Sequence, residues 1–233
     1  MTDSRLAIVI LAAGQGTRMK SATPKVLHAL AGVPILGHVL ATAAALEPAH
    51  VIAVVRHERD LIAQMITTTL PSAIIVDQDD VPGTGRAAEL ALAALPADFD
   101  GDVVIVSGDV PLLDADTIRG LVAEHRAQAA GATLLTAILE DGTGYGRVIR
   151  LSDGAIDKIV EQKDASPDEL LVTEINSGTY VFAVADLKTH LATVSTDNAQ
   201  QEKYLTDVVA MLDRKSTRLN SSHELKSRMT SSA

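Results

Sequence analysis

The chain contains no cysteine and no tryptophan, and its three tyrosines and two phenylalanines amount to 2% of 233 residues. Without cysteine there is no disulfide, no thiolate nucleophile and no cysteine-ligated zinc. So few aromatic side chains argue against a platform on which single-stranded nucleic acid could stack. No run reaches the ~18 uncharged apolar residues of a membrane-spanning helix. The opening Met-Thr-Asp-Ser-Arg leads directly into a strand, unlike a signal peptide. Positive charge is also scarce: 20 Lys and Arg stand against 30 Asp and Glu, a formal net charge of −10. Such a field repels nucleic acid and anionic membrane, so neither is expected as a partner. The absence of cysteine agrees with a cytoplasmic location. Finally, the seven histidines show no H-E-x-x-H spacing, and no G-x-S-x-G elbow is present.

What is abundant is small aliphatic residue: the chain is 47% hydrophobic, which suits close packing of helices on a sheet and one good core. Short apolar runs alternate with helical patterns, the signature of a parallel sheet covered on both faces. Strands are expected at Leu6–Ile10, Val51–Val55, Ala73–Val76, Val103–Val106 and Thr133–Leu139. Helices are expected from Pro34 to Ala45, Asp60 to Thr68, after Gly83-Thr84-Gly85 to Leu95, and from a cap at Asp114 or Asp116 to Ala129. Beyond Asp141 the rhythm changes to a glycine-rich loop, a hairpin (Arg147–Arg150 and Ile156–Val160) around Asp153-Gly154, and a strand from Thr179 to Val184. Helices over Ala185–Thr193 and Glu202–Leu212 complete the pattern. The fold class is therefore α/β: a Rossmann-like, mostly parallel sheet flanked by helices, with a smaller mixed-β lobe forming the far wall of a cleft. Residues 1–214 form the domain; the Ser-rich, basic stretch 215–233 is read as a disordered or non-native tail.

The most informative stretch is the loop from Leu11 to Lys25, which follows the first strand. Ala12, Ala13, Gly14 and Gly16 carry little or no side chain and let backbone N–H groups approach an anion, while Arg18, Lys20 and Lys25 supply cations. It is neither a complete G-x-G-x-x-G nor a P-loop. In an open parallel sheet, ligands bind beyond the carboxyl ends of the strands, and two further stretches fall there: Gln78–Gly85 and Ser107–Asp109. Asp109 reads either as a turn former or as a Mg2+ ligand, and its company favours the metal. Pro24 restrains the aim of Lys25. Glu161 after an apolar run, and Asn176 in Glu174–Gly178, suit ligand contact or turn structure equally.

These residues resemble the sugar-phosphate nucleotidyltransferases, and within them the uridylyltransferase domain of the bifunctional bacterial enzymes that also carry an acetyltransferase domain. The likeness rests on LAAGQGTRM, PKVLH from Pro24, GTG from Gly83, GDVPL from Gly108, GYGR from Gly144, VEQKDA from Val160, EINSG from Glu174 and NAQQEKYLTD from Asn198, in order and spacing. It implies transfer of UMP from UTP to N-acetylglucosamine 1-phosphate, giving the UDP-sugar used in peptidoglycan synthesis, with Mg2+ as cofactor. Leu11, Ala12, Ala13 and Gly14 would line the nucleotide, with Arg18 and Lys25 on the phosphates. Gln78, Gly83 and Thr84 would read the base, and Ser107 and Gly108 would border the nucleotide. Asp109 would hold the metal, and Gly146, Glu161 and Asn176 would contact the sugar.

Two departures qualify the likeness. The family continues past the helix ending near Leu212 with a strand and an asparagine that completes the metal site. Asn220 lies near that position, but Leu219, Ser221 and Ser222 do not match, so the role is not transferred. The acetyltransferase domain has no counterpart, so acetyl transfer and the trimer it builds are not expected. A related transferase with another sugar phosphate or nucleotide, or a binding module without turnover, remain the competing readings.

Overall fold

A computed structural model describes residues 3–14, 16, 21, 23–213 and 220–221. The elements in chain order are β1 (Asp3–Leu11), a 3₁₀ turn (Lys25–Leu27), a two-rung hairpin of β2 (Ala29–Leu30) and β3 (Val33–Pro34), α1 (Ile35–Ala45), β4 (Pro48–Val55), α2 (Arg59–Thr69), β5 (Ile74–Asp77), α3 (Thr84–Ala93), β6 (Asp102–Ser107), α4 (Ala115–Gln128), β7 (Ala132–Ile138), β8 (Arg147–Arg150), β9 (Ile156–Val160), α5 (Pro167–Leu170), β10 (Glu174–Ala183), α6 (Val184–Leu191), α7 (Thr206–Asp213) and β11 (Asn220–Ser221). Among the described residues no helix is long and apolar enough to cross a membrane.

One sheet of nine strands carries the molecule, in the order β11-β7-β10-β6-β1-β4-β5, with the β8–β9 hairpin attached through β10. β6, β1, β4 and β5 are mutually parallel, as the strand–helix alternation requires. β10 runs antiparallel between β6 and β7. Adjacent residues of β1 face opposite sides: Ala7 and Val9 join α3, α6 and α7, whereas Ile8 and Ile10 join α1, α2 and α4. Both faces are thus covered, which is why β1, β4 and β6 read as continuous apolar runs rather than alternating ones. Asp114 caps α4, its carboxylate accepting from Thr117 N at 2.7 Å.

The sequence expectations for the first half hold within a few residues. The second half differs at β10 and at the last helix, and the short α5 has no counterpart among the expected elements. β10 starts at Glu174 rather than Thr179, because Glu174–Asn176 pair with Ile138–Thr136 before the register shifts at a bulge. The last helix starts at Thr206 rather than Glu202, because the backbone of Lys203 is bonded to the Pro82–Gly85 turn instead. Two residues of the stretch read as tail, Asn220 and Ser221, pair in parallel with Thr133 and Leu134 of β7; an edge strand offers unpaired backbone groups to any extended segment.

Gly101 is buried where β6 begins, and a Cβ there would meet Arg5 O at 2.1 Å. Gly101→Ala forces β6 away from β1 and should cost about 2–3 kcal/mol. For a domain of this size that is a fall in Tm of roughly 4–12 °C, measured by calorimetry.

Candidate active site

The parallel register places the ends of β1 and β6 side by side. Leu11 is the Cα partner of Ser107 on one side and of Val54 on the other. Beyond these ends opens a cleft of about 540 Å³, within the usual range for a small-molecule site. Leu11, Ala12, Ala13, Gly14, Lys25, Gln78, Gly83, Thr84, Ser107 and Asp109 line it. All ten were singled out by the sequence. Gly108 does not line it; its N–H donates to Leu11 O at 2.8 Å, and a Cβ would meet Leu11 O and the Ala12 Cβ at 3.1 and 3.2 Å. Its smallness lets the chain leave β6 across the exit of β1 and turn Asp109 inward. Arg18, the other expected catalytic residue, lies outside the described residues.

Lys25 and Asp109 meet in this cleft: Lys25 Nζ donates to Asp109 Oδ2 at 2.6 Å, with the side chains 40% and 33% exposed. Pro24 initiates the 3₁₀ turn that aims Lys25. Gly16, in the left-handed region with φ +61°, sits so close that a Cβ would meet the Lys25 Cβ at 2.8 Å. Gln78 braces its own loop, its amide nitrogen donating to Val81 O and Gly83 O at 3.1 Å each.

Residues 8–210 match the MobA-like NTP transferase domain. The chain belongs to that family. Among curated proteins it is similar to bifunctional protein GlmU of Leifsonia xyli subsp. xyli, 62% identical over 212 residues, covering 91% of this chain and 44% of that protein. GlmU of Clavibacter sepedonicus is 56% identical over 90% of this chain and 42% of its own length. The chain therefore spans less than half the length of these relatives. Among solved structures, UDP-glucose pyrophosphorylase complexed with UDP-glucose superposes with a TM-score of 0.72 at 16% identity, covering 92% of this chain and 89% of that one. HddC from Yersinia pseudotuberculosis complexed with GMP-PN gives 0.64 at 20% identity, covering 93% and 89%. At such identities these two establish a shared fold.

In this NTP transferase domain the three residues assigned to a sugar form a second cluster. Asn176 N donates to Gly146 O at 2.9 Å, and a Cβ on Gly146 would lie 3.6 Å from Glu161 Oε1. Asn176 shapes the β10 bulge: its Oδ1 accepts from Gly178 N at 3.1 Å, and its Nδ2 donates to Tyr180 OH at 2.6 Å. Gly178, with φ +77°, leaves room for Ser107, whose Oγ lies 3.2 Å from where a Cβ would be. The bulge thus links the cluster to the cleft wall. Glu161 accepts from Thr206 Oγ1 at 3.2 Å. Burial, together with the negative charges of Asp164, Asp207 and Glu202, pushes its carboxyl above the ordinary range. Burial and then Asp164 do the same for Asp207.

Sequence reasoning missed Arg56, His57, Pro82, Glu202, Val26 and Ala87, which also line the cleft. Arg56 and His57 directly follow a strand ending at Val55, so the rule that found Ser107–Asp109 would have found them. Glu202 lay in a matched motif but was assigned to a helix. Among the described residues no group of three or more His, Cys, Asp or Glu is arranged to hold a metal. Two carboxylates line the cleft, Asp109 and Glu202, and Asp109 already holds a cation. That fits Mg2+, which takes one or two carboxylates and completes its shell with water and substrate oxygens.

A carboxyl raised above its unfolded value binds more protons in the folded state, so its cost to stability appears as pH rises through the raised range and vanishes below the unfolded value. Glu161→Gln should therefore raise Tm at pH 7.5, with the gain disappearing as pH falls to about 4. Thermal melts of both proteins across that interval check the sign.

Proposed function

We propose that the chain transfers UMP from UTP to N-acetylglucosamine 1-phosphate, releasing pyrophosphate. The observation carrying this reading is the Lys25–Asp109 pair at the shared exit of β1 and β6, with the Glu161–Asn176 cluster adjoining. Similarity to the GlmU proteins supports the choice of substrates, and a cytoplasmic site of action accompanies it, since nucleoside triphosphates are supplied there.

A sugar phosphate oxygen is already anionic at neutral pH, so it can attack the α-phosphorus without a general base. The new bond joins that oxygen to the α-phosphorus, and the bond to the β-phosphate oxygen breaks with its electrons leaving on pyrophosphate. The difficulty is electrostatic: two polyanions must approach, and catalysis consists of positioning and charge neutralisation. The backbone at Ala13 and Gly14 presents N–H groups to the phosphates at the sheet's end, the Ala12 N–H being donated to Val54 O at 2.8 Å. Lys25, with Arg18 from the same loop, places positive charge where the pyrophosphate departs. Gln78, Gly83 and Thr84 border the base. Gly146, Glu161 and Asn176 orient the sugar, with Glu161 Oε2 accepting from a sugar hydroxyl while Thr206 holds Oε1. Asp109 would hold Mg2+, which supplies further charge neutralisation between the reacting phosphates when bound. Asp109 must then exchange the Lys25 ammonium for the metal, freeing Lys25 for the nucleotide.

Lys25→Ala should lower kcat by ~10²–10³, the effect of losing one preorganised donor. A loss under about threefold would remove Lys25 from the mechanism. Asp109→Asn should raise the Mg2+ concentration needed for half-maximal rate, and activity indifferent to EDTA would refute the metal assignment. Pyrophosphate release scored over a panel of nucleoside triphosphates and sugar 1-phosphates tests the substrates. Preference for glucose 1-phosphate or for another base would replace the substrate reading.

A further inference from the structure

The Pro82–Gly85 turn makes a second set of contacts that nucleotide binding does not require. Lys203 N donates to Pro82 O at 2.9 Å, and Gly85 N donates to Lys203 O at 2.7 Å. Leu205 N donates to Thr84 Oγ1 at 3.1 Å. The segment before α7 therefore lies along the turn like a short strand. The fit excludes any added side chain: a Cβ on Gly83 would meet Lys203 O at 2.3 Å, and one on Gly85 would meet the same atom at 2.8 Å. The glycines of the Gly83-Thr84-Gly85 motif thus serve this close approach as much as any ligand.

Side chains close the contact a second time. Lys203, 11% exposed, donates from Nζ to Glu89 Oε2 at 3.1 Å. The same oxygen accepts from Arg86 Nη1 at 2.7 Å, and Arg86 Nε donates to Asp79 Oδ2 at 3.0 Å. Charges of alternating sign, Asp79, Arg86, Glu89 and Lys203, run from beside Gln78 on the base side to the segment before α7. That segment reaches both subsites, since Glu202 lines the cleft and Thr206 bonds Glu161.

We infer that this clasp, Pro82–Gly85 closed on Lys203–Leu205 and locked by Lys203–Glu89, couples the nucleotide subsite to the sugar subsite. The identity of the two ligands rests on the transferase reading above; the clasp itself rests on the backbone contacts. A nucleotide held by Gln78 and Thr84 makes its contacts with the closed turn, so it favours the closed arrangement. Closure in turn fixes Glu202 and Thr206, and with Thr206 the orientation of Glu161. Coupling between two binding sites is reciprocal, so the sugar phosphate favours nucleotide binding by the same factor. Gly85 and Lys203 act as positioning residues: neither is part of the cleft lining.

The test uses α,β-methylene-UTP, which cannot be cleaved at the reacting bond, and N-acetylglucosamine 1-phosphate. In the unsubstituted chain the analogue should slow amide exchange at Lys203 and Leu205 and tighten the calorimetric Kd of the sugar phosphate at least about fivefold. Gly85→Ala adds one methyl against Lys203 O without weakening α3, alanine being the better helix former. It should still bind the analogue yet lose both effects. Lys203→Met should do the same and Lys203→Arg should restore them. If Gly85→Ala does not fold, Glu89→Gln, which opens the ion pair from the other side without adding volume, decides the matter in the same way. Variants that keep the full coupling, or an unsubstituted chain that binds both ligands independently, would overturn the clasp. Failure of the unsubstituted chain to bind the analogue would overturn the transferase reading, and the clasp with it.

Discussion

The parallel alignment of β1 against β6 is the constraint on which the rest of the molecule depends. With Leu11 level with Ser107, the glycine-rich loop and the acidic strand end emerge at the same height on the same edge. Lys25 and Asp109, 84 residues apart in sequence, are thereby brought to 2.6 Å. Shifting that register by one residue would send every side chain of β1 to the opposite face, moving Ile8 and Ile10 out of their core and Ala7 and Val9 out of theirs. Core packing and site geometry are therefore held by the same pairing.

The cleft concentrates charge on both sides of this junction, and the two sides differ in kind. On the β1 side, Lys25 and Arg56 border the opening, so a strongly anionic chain presents local positive charge there. Beside Asn176, burial, together with the closeness of Asp164, Asp207 and Glu202 to Glu161 and of Asp164 to Asp207, holds the Glu161 and Asp207 carboxyls above the ordinary range. Keeping those acids together opposes folding. It also gathers several hydrogen-bond acceptors in one place. The large aliphatic core offsets this cost.

Legibility in the sequence followed the range of the interactions involved. The strands β1, β4, β5 and β6, the turn at Asp153-Gly154 and the cap at Asp114 were readable because each depends on neighbours a few residues away. The start of β10 was not. Glu174–Asn176 carry a turn-like composition, and pairing with β7 on one side and with Arg147 of β8 on the other draws them into a strand. The start of α7 was missed for a parallel reason: the backbone of Lys203 and Leu205 satisfies its hydrogen bonds on the Pro82–Gly85 turn, far back in the chain, which no local pattern records. For the site, Leu11–Gly14, Gln78–Thr84 and Ser107–Asp109 were found by their common position at strand ends. Arg56 and His57 obey the same rule but lack glycine to mark them.

The sequence by itself determined the strands of the parallel core, the small-residue loop that follows the first of them, and the membership of the NTP transferase domain family, because these are written in hydrophobic period, glycine placement and ordered motifs. The tertiary structure alone decided that Lys25 rests on Asp109, that Gly108 turns that carboxylate inward, that Asn176 shapes a bulge beside Glu161, and that Gly83 and Gly85 receive the backbone of Lys203. Each of these is a contact between groups far apart along the chain. Its existence depends on strand order and register, which the burial of both faces of one sheet settles collectively and no single stretch can specify.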